Sequence, residues 1–152
     1  MKRKQALIPP VEPERLDLIV LVPDKHWHAV MEVVLDRAAK SLQIRSGLRV
    51  AVRNSAVGRD GAFRKHGVEL ARQVAAQAHK ILVLFDHEGC GDQTPAADLQ
   101  DRLQTALQEA LPGDRARILV VDPELEGWLV GASQAFKALD GLAAVQPFQG
   151  WQ

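Results

Sequence analysis

Four short apolar runs punctuate the chain at wide intervals, LDLIVLV at 16–22, LRVAVRN at 48–54, KILVLFD at 80–86 and ARILVVD at 116–122. Each is rich in β-branched residues and stops at a polar or proline-containing turn, the pattern of strands buried in a sheet. Between them the period changes. After Asp24, apolar residues recur three and four apart at Trp27, Val30, Met31, Val34, Leu35, Ala38 and Leu42, one stripe of a helix that Asp24 can cap. Thr94 as N-cap, Pro95 at the first helical position, the stripe Leu99, Leu103, Ala106, Leu107 and Ala110, and the stop Pro112-Gly113 predict another.

Two further segments are less periodic. The stretch RNSAVGRDGAFRKHG, 53–67, holds three glycines and four positive charges and predicts a loop, with a helix from Val68 to Ala78. Asp122-Pro123 repeats the cap-then-proline start before ELEGWLVGASQAFKAL, a fourth helix. Residues 1–15 read as a flexible N-terminal arm and residues 141–152 as an irregular C-terminal arm, leaving one domain over 16–140.

Strands alternating with amphipathic helices make βαβ units, whose crossovers are almost always right-handed. The expected fold is therefore α/β: a single Rossmann-like three-layer domain with a mainly parallel four-stranded sheet flanked by helices. In such sheets ligands bind beyond the carboxyl ends of the strands. That rule selects Asp24 after the first strand, Asp86 and Glu88 after the third, and Asp122, Glu124 and Glu126 after the fourth. If the third strand stays extended past its end, Asp86 and Glu88 project the same way and bind one cation between them. Magnesium suits such a pair, because it takes one or two carboxylates and fills the rest of its shell with water and phosphate. The competing reading is structural: Asp24 and Asp122 cap helices, and Glu124 and Glu126 offset a helix dipole.

Composition removes several classes of function. With 152 residues the chain forms one domain with a sizeable core and is too short for two ordinary ones. Lysine plus arginine and aspartate plus glutamate balance at 19 each, so any attraction to nucleic acid must be local. Cys90 is the only cysteine, which excludes an intrachain disulfide and a thiolate zinc cluster and fits a cytoplasmic setting. No run approaches the roughly 20 apolar residues that span a bilayer, so no membrane role is expected. Neither GxxxxGK nor GxGxxG follows a strand. His26 with His28, and His87 with Cys90, lack the spacing and the partners of a tetrahedral metal site, and an unreactive thiol is the default for Cys90.

The succession of an acidic turn after the first strand, LVLFDHEGCGD, and VVDPELEGWLVG resembles the small prokaryotic Toprim-related proteins known as domain of unknown function 4276, over most of the chain. The more specific element is Pro123-Glu124-Leu125-Glu126-Gly127-Trp128, which matches that family's PE-x-E-x-W helix start. The resemblance implies a Toprim-like domain whose acidic rim binds magnesium and supports phosphoryl transfer on nucleic acid, as in topoisomerases, primases and overcoming-lysogenization-type nucleases. It also implies a setting in prokaryotic genome defence. Under it, Asp86, Glu88 and Glu124 hold the metal, and Asp24 and Glu126 act as further ligands or proton acceptors. Arg53, Arg59, Arg64 and Lys65 grip the nucleic-acid backbone.

The sequence departs from the superfamily in two places. The glutamate-glycine pair that ends the first Toprim strand is Val22-Pro23-Asp24 here, and the double aspartate of the third strand is Asp86-His87-Glu88. A non-catalytic Toprim-like subunit that binds a larger defence or DNA-processing partner is therefore the alternative expectation. A phosphate-receiver domain ranks below both, since the later strands lack the required hydroxyl-then-lysine arrangement.

Overall fold

The computed structural model describes residues 14–41, 47–56 and 58–127. The expected N-terminal arm to residue 13, the fourth helix beyond Gly127 and the C-terminal arm lie outside the described residues. The order is β1 (Leu16–Val22), α1 (Lys25–Ser41), β2 (Val50–Asn54), α2 (Asp60–Val74), β3 (Ala78–Asp86), α3 (Ala96–Ala110) and β4 (Ala116–Val121). All pairings are parallel, and the sheet order is β2-β1-β3-β4.

Residue parity explains why the strand runs are apolar without a break. Ile19 and Leu21 of β1, and Ile81, Val83 and Phe85 of β3, face one layer with Phe63 and Ala71 of α2 and Leu99 and Leu107 of α3. The intervening Val20, Val22 and Leu84 face the other layer, against Trp27 and Met31 of α1. Successive side chains on a strand point to opposite faces, so a strand covered on both sides needs apolar residues at both parities. The result is a three-layer α/β domain with α1 on one face and α2 and α3 on the other. Among the described residues no helix is long and apolar enough to cross a membrane.

The connections set the position of the site. From β1 the chain moves outward through α1 to β2, then returns through α2 on the opposite face to β3, and continues outward to β4. The direction of winding therefore reverses between β1 and β3. Loops leaving those two neighbours part there, and their carboxyl ends border a crevice.

Three element boundaries differ from expectation. Helix α2 starts at Asp60, eight residues before Val68, and ends at Val74. Phe63, Gly67 and Ala71, four apart, form its buried face, and a Cβ built on Gly67 would meet Val83 Cγ1 at 3.4 Å. The glycine that reads locally as a helix breaker is what permits close approach to β3, and burial outweighs its intrinsic propensity cost of about 1 kcal/mol. Helix α3 begins at Ala96, with Pro95 rather than Thr94 in the N-cap position. Asp122 does not start the last helical turn either; that turn begins at Leu125.

Candidate functional site

The carboxyl edge of the sheet gathers acidic residues from every strand exit. Asp24 follows β1 and caps α1, its Oδ1 accepting from His26 N at 2.9 Å and Trp27 N at 3.0 Å. Asp86 is the last residue of β3. Its backbone N–H donates to Asp60 Oδ1 at 2.7 Å, and its own Oδ1 accepts from Leu125 N at 2.8 Å. One aspartate thus ties the first turn of α2 to the end of β3, and the next ties β3 to the helical turn after β4. Both of these bonds are accepted by Oδ1.

Electrostatics show how closely the acids crowd. Burial pushes the Asp86 carboxyl up to about 7, and the negative charges of Asp60 and Glu126 push the same way, against the Leu125 N–H and the Trp27 indole. Burial also raises Asp60, with the charges of Asp24 and Glu126 adding to it and backbone N–H groups opposing. Glu124 is raised by desolvation, then by Glu88 and Glu126. Two overlapping groups follow: Asp24, Asp60, Asp86 and Glu126 around the β1–β3 crevice, and Glu88 with Glu124 to one side, joined through Glu126. No salt bridge among the described residues neutralises any of the six.

The extension of β3 on which the expected pairing of Asp86 with Glu88 rested is absent. Strand β3 ends at Asp86, and the chain turns at once, with His87 N donating to Val121 O, Glu88 N to Pro123 O and Cys90 N to His87 O. Gly89 and Gly91 adopt φ of 78° and 80°, a conformation that residues with a Cβ rarely hold. The alternation that would have aligned the two acids is lost at that bend. Asp86 is coupled to Asp60 instead, and Glu88 to Glu124.

The basic residues divide into two sets. Arg53 donates from Nη1 to Gln77 Oε1 at 2.6 Å; Gln77 precedes β3, so this guanidinium is directed toward the amino end of the sheet. Arg64 donates from Nε to Cys90 O at 2.8 Å and sits 3.9 Å from Asp92 Oδ2, fastening the loop after β3 onto α2. Arg59, at φ 90° immediately before α2, and Lys65 on that helix are exposed. Cys90 is buried in the core, and His87 Nε2 contacts Thr94 O, so neither is arranged for nucleophilic chemistry.

Sequence reasoning missed Asp60. It lies in VGRDGAF, where four nearby cations and two glycines read as a basic loop. The available signal was positional: a carboxylate beside glycine, past the end of the second strand. Trp27 was read only as part of a core stripe. Its ring is buried, and its Nε1 faces Asp86 closely enough to lower that pKa while making no hydrogen bond.

Among the described residues no three His, Cys, Asp or Glu side chains stand close enough to enclose a metal ion. The donor set is nevertheless all carboxylate oxygen, which suits a hard ion held by two protein ligands with water and phosphate completing the shell. Asp60 and Asp86 are the pair that fits this description. Comparison with family profiles, with characterised proteins and with solved structures finds no match to the chain.

Proposed function

We propose that this protein is a Toprim-like, magnesium-dependent enzyme that acts on nucleic acid by phosphoryl transfer at the carboxyl edge of its sheet. The observation that carries the reading is the uncompensated crowding of Asp24, Asp60, Asp86 and Glu126 at the β1–β3 crevice. Carboxylates crowded together from separate loops are stabilised by a cation placed between them. A bound magnesium ion would orient water and offset charge on the reacting phosphate. Asp60 and Asp86 would hold it. Glu126 stands next to this pair as proton acceptor, and Asp24 adds negative charge while anchoring α1. Arg59 and Lys65 supply exposed cations for the phosphate backbone. The resemblance to Toprim proteins supports the substrate class.

A specific observation favours a second reading, a non-catalytic subunit for a DNA-processing or defence partner. Asp24 and Asp86 both serve as backbone acceptors, and Arg53 and Arg64 are engaged within the chain, so four of the nine expected site residues have a structural role. One experiment separates the two. Calorimetric titration with magnesium and manganese, together with cleavage of end-labelled single- and double-stranded DNA and RNA, is applied to wild type, Asp60→Asn and Asp86→Asn. The enzyme reading expects cation binding that weakens at least tenfold in each variant, and cleavage that vanishes with it. Binding without cleavage of any substrate favours the subunit; no divalent binding by wild type ends the metal proposal.

A further inference from the structure

Among the described residues β4 is the last strand of the sheet, and its outer edge meets side chains where a fifth strand would supply backbone. Gln104 of α3 donates from Nε2 to Ala116 O at 3.2 Å and accepts at Oε1 from Ile118 N at 2.9 Å. A residue on a parallel neighbouring strand does the same, straddling one residue by bonding the carbonyl before it and the amide after it. A glutamine side chain carries the same amide group as the backbone, with donor and acceptor side by side. One helical turn earlier, Gln100 Oε1 accepts from Val120 N at 3.0 Å.

The two spacings match. Four helical residues rise about 6 Å, and two strand residues rise about 6.6 Å. Because the order of the contacts is inverted, with Gln104 on residue 118 and Gln100 on residue 120, α3 runs antiparallel to β4. Glutamines four apart on such a helix therefore fall on alternate outward amides of the strand.

The edge so covered is one that pairs readily when bare. ARILVV carries a single charge and no proline, and Ile118 and Val120 are buried core residues. We infer that Gln100 and Gln104 form a side-chain surrogate for a fifth strand, and that they close the β4 edge against pairing with a second copy of this chain. A two-fold contact between identical edges would join the two β4 strands antiparallel. This inference is independent of the acidic rim.

The test uses substitutions in the whole protein. Gln100→Met with Gln104→Met keeps length and helix propensity but removes the acceptors. Gln100→Glu alone keeps an acceptor oxygen for the Val120 N–H and leaves in place Gln104, which also donates to Ala116 O. Amide hydrogen exchange at Ile118 and Val120 and sedimentation velocity over a range of concentrations are read for each. The methionine pair is expected to lose protection at both amides by at least tenfold and to self-associate more than wild type as concentration rises. The glutamate variant is expected to keep both wild-type properties. Retained protection or unchanged sedimentation in the methionine pair overturns the inference, as does a loss of Val120 protection in the glutamate variant equal to that in the methionine pair. Should the double methionine variant fail to fold, the single variants decide. Gln104→Met must expose Ile118 alone and Gln100→Met Val120 alone; any other pattern rejects the surrogate.

Discussion

Asp86 is a carboxylate held where neutrality suits it better than charge. Its proton is bound more tightly in the folded chain, with a pKa near 7, than in the unfolded one, where it is close to the ordinary value of 3.8. Stability contributed by this group therefore falls as pH rises from about 4 to about 7, and stays low above that. Solvent reaches this half-buried site, which reduces the effect to about 1–2 kcal/mol. Asp86→Asn keeps an oxygen for the Leu125 N–H and removes the titration, so it should flatten this part of the pH profile and exceed wild type in stability at pH near 8. Urea denaturation at pH values near 5 and 8 measures both effects; the same slope in the two proteins would show that burial of Asp86 carries no such penalty. Asp60, raised for the same first cause, should act in the same direction.

At the scale of an element, α1 shows how one side chain takes two roles. Asp24 bonds two backbone N–H groups of the first turn, a contact whose loss costs about 1 kcal/mol in typical helices. Asp24→Ala should lower stability by about that amount, whereas Asp24→Asn, which retains a capping oxygen, should lower it by a few tenths of a kcal/mol at most. Thermal unfolding of the two variants tests the cap. If Asp24 also contributes charge to a bound cation, the asparagine variant binds magnesium more weakly despite its intact helix. Much of this element was legible in the sequence: Asp24 before a Trp27, Met31 stripe is a cap before an amphipathic helix. The start of α2 was not, because Gly61 and Gly67 are loop signals until their packing partners, the Cys90 backbone and Val83 of β3, are known.

At the scale of the molecule, the acidic rim is a product of winding order. Because all four strands are parallel, the loops after β1, β2 and β3 and the turn after β4 all discharge onto one edge, and because β2 and β3 flank β1, the loops part between β1 and β3. A cation that binds only the folded arrangement stabilises it by mass action, about 2.7 kcal/mol when free ion exceeds the dissociation constant a hundredfold. Magnesium should accordingly raise the melting temperature of wild type by several degrees and leave the Asp60→Asn, Asp86→Asn double variant unmoved. Differential scanning calorimetry with and without the ion checks this, and an equal shift in both proteins would point to non-specific binding.

Periodicity alone determined the four strands, the helices α1 and α3, the parallel α/β class and the edge on which Asp24, Asp86 and Glu126 lie. These properties are local: burial on one or two faces writes a repeat of 3.6 or 2 into the chain. Which acids meet was decided only by tertiary structure. The pairing of Asp86 with Asp60 joins residues 26 apart, and it depends on α2 packing flush against β3. The loss of strand alternation between Asp86 and Glu88 comes from the chain turning as soon as β3 ends, where hydrogen bonds from the loop to Val121 and Pro123 take over from the ladder. Contacts between segments distant in the chain leave no period in the sequence, since each partner obeys only its own local pattern.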